Sequence, residues 1–312
     1  MLKKVTLTTL MLLILIYIGI CYTLSNRVLT PNSSLERTKA RIQSSWGTSF
    51  EELMVKMPEA KDLRIQGFEG VPISGKYFEV SDTAKCAIIF IHGWSGTWAG
   101  MLKYAPVFED CGCQMIFYDH RVHGESGGEY PTGGIKEKED LWAVTKWVAN
   151  KYDLGYDQIG WAGASWGAAT ALQAAAINED VGFVLADASY QDWYSAIFER
   201  AIRDYGVVIN VLTPGVMAFV NWRTGIDYKD ASPILAASHI TEPVLLIHSR
   251  TDTQTSSEQS VNISKKLNAS SEFHHLDWGN DHTADVWDSK DQFAQLVSAF
   301  MKKRTQFPFE CN

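Results

Sequence analysis

At 312 residues, with 46% hydrophobic and 21% charged positions, the chain suits one large domain with an appendage, and its composition excludes a disordered or collagen-like polypeptide. A formal net charge of -8 at pH 7 argues against nucleic acid or anionic headgroups as the main partner.

Lys3 and Lys4 precede an uncharged apolar run from Val5 to about Leu24. At ~1.5 Å per residue such a run crosses a bilayer as a helix. Two readings follow for residues 1–24: a retained signal-anchor, or a signal peptide cleaved near Ser25. The anchor reading ranks first, because a small-x-small cleavage site is missing before Ser25 and Ile20 stands where a lipoprotein signal needs a small residue before Cys21. Under the positive-inside rule both lysines stay cytoplasmic and the rest of the chain is extracytoplasmic, or secreted after cleavage. Residues 25–60 are polar and read as a stalk plus a helix that packs on the domain; residues 61–305 form the domain itself and 306–312 a tail.

From Leu63 the pattern alternates. Leu63–Phe68 and Ile73–Phe78 read as half-exposed strands around a turn containing Gly70. The continuous apolar runs Ala87–Ile91, Met115–Tyr118, Gln158–Ala162, Phe183–Ala186 and Val244–Ile247 predict strands buried on both faces of a parallel sheet. Amphipathic stretches such as 135–151 and 168–177 predict covering helices, which makes the fold class α/β. Between about 188 and 232 the alternation lapses, and Tyr190, Trp193, Tyr194, Phe198, Tyr205, Phe219 and Trp222 crowd together. This insertion reads as a small helical cap shaping an apolar pocket, or as an extra pair of surface helices.

Ser165 stands in Gly163-Ala164-Ser165-Trp166-Gly167, after a buried strand and before an alanine-rich helix. A sharp strand-to-helix turn leaves little room for side chains at Gly163 and Gly167, and it lifts the serine hydroxyl to a helix N-terminus. A serine needs a base, and the base an orienting acid, in the chain order Ser, Asp, His. Asp252 follows the Val244–Ile247 strand, and His282 follows the candidate strand Glu272–Leu276. Asp187, at the end of the preceding strand, is the rival acid. His274 and His275 read as structural, and Asp281 and Asp285 as too local to His282. The backbone N–H of Trp166 and that of Trp94, in His92-Gly93-Trp94-Ser95-Gly96, are the expected oxyanion donors, with Gly93 letting the loop curl.

Cys86 could pair with Cys113 or Cys111, with Cys311 taking the other; free buried thiols are the alternative. No metal site is expected, because His120 and His123 lack a third ligand nearby. No cofactor is needed.

Three segments carry a resemblance: His92-Gly93, the run Asp119-His120-Arg121-Val122-His123-Gly124-Glu125-Ser126, and the Ser165 pentapeptide. Together they resemble the α/β-hydrolase superfamily, and are similar to its bacterial membrane-anchored serine aminopeptidase-like and BEM46-like branches, from about Leu63 to Lys303. The resemblance implies an α/β-hydrolase fold: a mostly parallel sheet, helices on both faces, and a small cap. It departs from the family pattern at Val122, where glycine is common, which puts the shape of that loop in question. The expected activity is serine hydrolysis of an ester, thioester or amide bearing an apolar, lipid-like acyl group. The alternatives are a noncatalytic binding protein, an aminopeptidase or a perhydrolase.

Overall fold

A computed structural model describes residues 2–178 and 180–308. Eight strands form one sheet: β1 (Ala60–Gln66), β2 (Pro72–Phe78), β3 (Ala87–Ile91), β4 (Gln114–Tyr118), β5 (Ile159–Ala164), β6 (Phe183–Asp187), β7 (Val244–Ser249) and β8 (Glu272–Leu276). Their spatial order is β1-β2-β4-β3-β5-β6-β7-β8, with β2 antiparallel to both of its neighbours, β1 and β4, and every other pair parallel. Strands β3 to β7 are buried along their whole length, which is why they read as unbroken apolar runs rather than alternating ones. This is the α/β-hydrolase fold.

The helices are α1 (Leu2–Leu29), α2 (Leu35–Trp46), α3 (Phe50–Val55), α4 (Glu137–Tyr152), α5 (Trp166–Ala175), α6 (Trp193–Tyr205), α7 (Thr213–Thr224), α8 (Pro233–Ala236), α9 (Glu258–Ser264), α10 (Asp285–Asp288) and α11 (Lys290–Arg304). Two core layers result. One packs Phe90, Phe117, Phe183 and Leu245 against α11 and the 3-10 helix Trp98–Val107; the other packs Ile89, Ile116, Trp161 and Val184 against α4 and α5.

Several details differ from the sequence expectations. Phe68 leaves the strand for a short 3-10 turn, because its N–H and that of Gly67 are taken by Asp140 and Val71 rather than by a sheet neighbour. The cysteines follow the expected bridging instead: Cys86 and Cys113, immediately before β3 and β4, form one of the two disulfides offered for Cys86, and the free-thiol alternative does not hold for them. Cys111 is disulfide-bonded as well, and Cys311 lies outside the described residues. The segment taken as a tail begins against the domain, with Phe307 stacking edge-on to Phe183 at 5.0 Å.

Between β6 and β7 stand α6, a 3-10 turn Val207–Val211, and α7. The aromatic residues there divide into two groups. Tyr190 and Trp193 face the sheet ends, whereas Phe219 meets Tyr22 of α1 at 5.5 Å. Helix α7 lies along the second half of α1, so that Cys21, Val28 and Leu29 are buried with Trp193, Met217 and Val220 in a third cluster. Helix α2 is no loose stalk. Ile42 is fully buried, and Thr97 Oγ1 donates to Thr38 Oγ1 across 3.0 Å, which ties α2 to the loop after β3.

Candidate active site

The loops after β3, β5, β7 and β8 meet at the carboxyl edge of the sheet, where open α/β sheets place their ligands. Ser165 caps α5 with φ 55° and ψ -114°, a conformation that costs a non-glycine residue about 1–3 kcal/mol. Its N–H donates to Asp187 O (2.7 Å) and its carbonyl accepts from Ala169, so strand pairing and helix together hold the turn. A Cβ at Gly167 would come 1.9 Å from Ile91 O, and one at Gly163 would come 2.5 Å from Gly167 O. Both glycines are demanded by close approach of strand and helix.

Gly93 has a different reason from the expected one. Its φ is not positive; the left-handed residue of that loop is Ser95 (φ 56°). A Cβ at Gly93 would lie 3.2 Å from Ser165 Cβ, so glycine gives clearance over the serine rather than a curl. No described protein acceptor takes the backbone N–H of Trp94 or of Trp166. Their rings meet at a tilt of 36° with centroids 4.9 Å apart, and Trp166 is buried against Trp193 of α6.

Asp252 and His282 are brought together: His282 Nδ1–H donates to Asp252 Oδ2 at 2.6 Å. That bond fixes the tautomer and leaves Nε2 as the basic nitrogen. The same Oδ2 accepts from His248 Nε2 at 2.9 Å, while Oδ1 accepts the amides of Gln254 (2.7 Å) and Thr255 (2.9 Å). Burial alone would raise the Asp252 carboxyl, but the hydrogen bonds from His248, His282 and these amides outweigh it and hold it far below the usual carboxylate range. The two loops are knitted to each other: Thr251 Oγ1 donates to Asn280 O (2.6 Å) and Thr253 N–H to Asp281 Oδ1 (2.8 Å). His248 was passed over in the sequence. Its position four residues before the acid, at the end of a buried strand, was the available signal.

Asp187, the rival acid, does not meet His282. Tyr104 donates its hydroxyl to Asp187 Oδ2 at 2.5 Å, and burial raises this carboxyl. Lys103, almost fully buried, donates to Thr283 Oγ1 at 2.9 Å, one residue beyond His282. Burial pulls this ammonium down to about 8 against the opposing charges of Asp187 and Asp288.

Beneath the site, His92, His120 and His123 are buried with ring centroids 4.7 to 6.2 Å apart. Burial pushes His92 down to about 3 and His123 to about 4, so both are neutral packing groups. Among the described residues no cluster has the makings of a metal site. Val122 adopts φ 64°, the left-handed conformation that glycine usually supplies, and its N–H donates to Gly127 O (2.7 Å). The loop therefore keeps its glycine shape on a β-branched residue, at a cost of about 1–2 kcal/mol. Arg121 forms a buried bidentate pair with Asp140 (2.7 and 2.9 Å), which anchors this loop to α4.

Ser165, Trp94, Trp166, Gly93 and His282 all line one open cleft of about 640 Å³. Its other wall comes from α2 and from α6, with Trp193, Ala196 and Ile197 on the latter.

Comparison with known proteins agrees with this architecture. YqkD of Bacillus subtilis is 32% identical over 206 residues, 65% of each chain, so the match spans a little under two thirds of that relative. Rv2307c of Mycobacterium tuberculosis is 24% identical over 130 residues, 41% of this chain and 46% of that protein. In structure, the Pyrococcus furiosus esterase Pf2001 superposes with a TM-score of 0.65 at 23% identity, over 82% of this chain and 96% of that one. The Pyrococcus horikoshii acylaminoacyl peptidase superposes at 0.61 and 17% identity, over 83% of this chain and 44% of that one. The family model of the X-Pro dipeptidyl-peptidases (S15 family) matches residues 39–210, more than half of the chain. With its sheet order and its strained Ser165 turn, the chain belongs to the X-Pro dipeptidyl-peptidase (S15) family of the α/β-hydrolase superfamily.

Proposed function

We propose that the chain is a serine hydrolase working through an acyl-enzyme. The observation that carries this reading is the strained Ser165 turn in one cleft with a histidine whose Nδ1 is held by the buried carboxyl of Asp252. His282 Nε2 takes the Ser165 proton as Oγ attacks the substrate carbonyl, and Asp252 stabilises the imidazolium that forms. The amides of Trp94 and Trp166 receive the oxyanion, and their freedom from protein acceptors supports that role. The imidazolium then protonates the leaving group, and water, activated by the same nitrogen, releases the acid and restores Ser165.

A carboxylic ester with an apolar acyl group is the leading substrate, because Trp94, Trp166, Tyr190, Trp193 and Ile197 give the cleft an apolar floor. The family match favours one second reading, removal of an N-terminal X-Pro dipeptide. Against it, Asp281, the acid beside His282, is already engaged by Thr253 rather than free for an α-amino group.

We further propose that the domain lies outside the cytoplasmic membrane, with α1 retained as its anchor. Support comes from the burial of Cys21, Val28 and Leu29 against the α6–α7 insertion, which cleavage before Ser25 would partly expose, and from a disulfide suited to an oxidising compartment.

Fluorophosphonate labelling tests the chemistry. Wild type is expected to label, and Ser165→Ala and His282→Ala are expected to lose it; a folded wild type that does not react returns the chain to a binding role. Acyl p-nitrophenyl esters set against Ala-Pro p-nitroanilide decide between ester and dipeptide cleavage.

A further inference from the structure

The cleft wall opposite the nucleophile is cationic although the chain as a whole carries a net charge of -8. Arg37 and Arg41 project into the cleft from successive turns of α2, Arg200 and Arg203 from α6, and Lys103 from the 3-10 helix after β3; Asp281 and Asp288 are the acids there. The acids are not spent on the α2 pair. Asp281 is bound by Thr253, and among the described residues neither Arg37 nor Arg41 has a hydrogen-bond or ion-pair partner for its guanidinium. Arg200 and Arg203, by contrast, share Asp204. Two adjacent guanidiniums without a counter-charge repel each other, and an anionic ligand spanning them removes that repulsion with charge-assisted hydrogen bonds.

We propose that the substrate of this site carries an anionic group, a carboxylate or phosphate, and that Arg37 and Arg41 of α2 bind it. This rests on the serine-hydrolase reading and names its substrate class. Two matched ester pairs separate the sources of the anion: mono-p-nitrophenyl glutarate against p-nitrophenyl pentanoate for an anion on the acyl side, and a 1-acylglycerol 3-phosphate against the 1-acylglycerol for one on the leaving group. In wild type, kcat/KM is expected to favour the anionic member of one pair. In Arg37→Gln/Arg41→Gln that ratio falls about tenfold, and in Arg37→Lys/Arg41→Lys, which keeps the charge, it recovers in part. A wild type without preference in either pair, or a ratio that Arg37→Gln/Arg41→Gln leaves unchanged, overturns the proposal. Failure of wild type to label with fluorophosphonate is the separate signature that the hydrolase reading itself has failed.

A second inference comes from how α1 and α7 lie side by side. Tyr17 donates its hydroxyl to Val211 O (3.0 Å) and Cys21 Sγ contacts Leu212 O at 3.6 Å. Further along, Tyr22 meets Phe219, and Arg223 donates to Ser25 Oγ (2.8 Å) and Asn26 Oδ1 (2.7 Å). The two helices therefore run parallel, with the Arg223 contacts at one end and the Val207–Val211 turn at the other. From Leu7 to Ile16 the anchor offers about 15 Å of helix whose large apolar side chains are exposed. That falls short of a hydrocarbon core of ~30 Å. The missing depth comes from the Tyr17–Leu24 stretch that α7 covers. At that depth Val207, Val208 and Val211 are 69%, 80% and 71% exposed.

The geometry points to a bilayer as the partner of this turn: Val207, Val208 and Val211 sit in the acyl region of the outer leaflet, and Arg223 marks the headgroup level. The test uses the full chain in phosphatidylcholine nanodiscs, with an NBD label on Val208→Cys or, for comparison, on Val55→Cys, whose parent residue is 86% exposed. The label at 208 is expected to shift to the blue and to be quenched by lipids with nitroxide on their acyl chains, while the label at 55 keeps its aqueous emission. Aqueous emission at 208, or equal quenching at both positions, overturns the placement.

Discussion

The two walls of the cleft are built on opposite plans. The wall made by the loops after β3, β5, β7 and β8 is closed by short hydrogen bonds, four of them converging on Asp252 alone. The wall made by α2 and α6 presents long side chains, two of whose charges have no partner among the described residues. The first plan suits atoms that must be held to a fraction of an ångström for proton transfer; the second suits contacts that a ligand completes. On the proposed reading, precision and selectivity are carried by different elements of the fold.

Substitutions should separate the two walls. The largest effect is expected at Asp252→Asn, which supports the wrong tautomer of His282 and should lower kcat about 10⁴-fold. Asp187→Asn, with its carboxyl bound to Tyr104 instead, should change kcat far less; equal losses would reverse the assignment of the acid. Because the folded carboxyl of Asp252 is depressed, it stays ionised below the ordinary carboxylate range; its stabilisation is fully present above that range and is lost as pH falls from there through the folded value.

His248→Asn comes next. With one of its four donors altered, Asp252 should hold His282 less firmly, and kcat should fall about tenfold with little change in KM. An effect mainly on KM would place His248 outside the locked wall.

Ile197→Ala tests the open wall. A shortened side chain there should shift preference toward longer acyl chains by several-fold, on the order of 1 kcal/mol in kcat/KM, while fluorophosphonate labelling persists. A uniform loss for all chain lengths would mean that α6 also positions the chemistry.

The smallest effect concerns the price of rigidity beneath the locked wall. Val122→Gly relieves a left-handed β-branched residue but gives the unfolded chain more freedom, and should raise stability by about 1 kcal/mol in urea unfolding. Destabilisation instead would show that the Val122 side chain contributes packing that outweighs its strain.

Much of this molecule is legible in one dimension because its causes are local. A strand buried on both faces must be apolar throughout, and a strand-to-helix turn that brings Gly163 against Gly167 O, four residues on, excludes any side chain there. The Ser165 turn and the sheet strands therefore follow from neighbours in sequence. What depends on residues far apart was decided only on folding. Tyr104 takes Asp187 and leaves Asp252 to His282, with His248 arriving on the same oxygen. Strand order places Cys86 beside Cys113. Helix α2 swings back over the cleft with its two arginines, and α7 lies along the anchor. Chain order offered Asp252 and the Cys86–Cys113 bridge only beside rivals, and gave no sign of His248 or the α2 and α7 contacts, since each is a compromise between burial, charge and hydrogen bonding that exists only when distant segments share one volume.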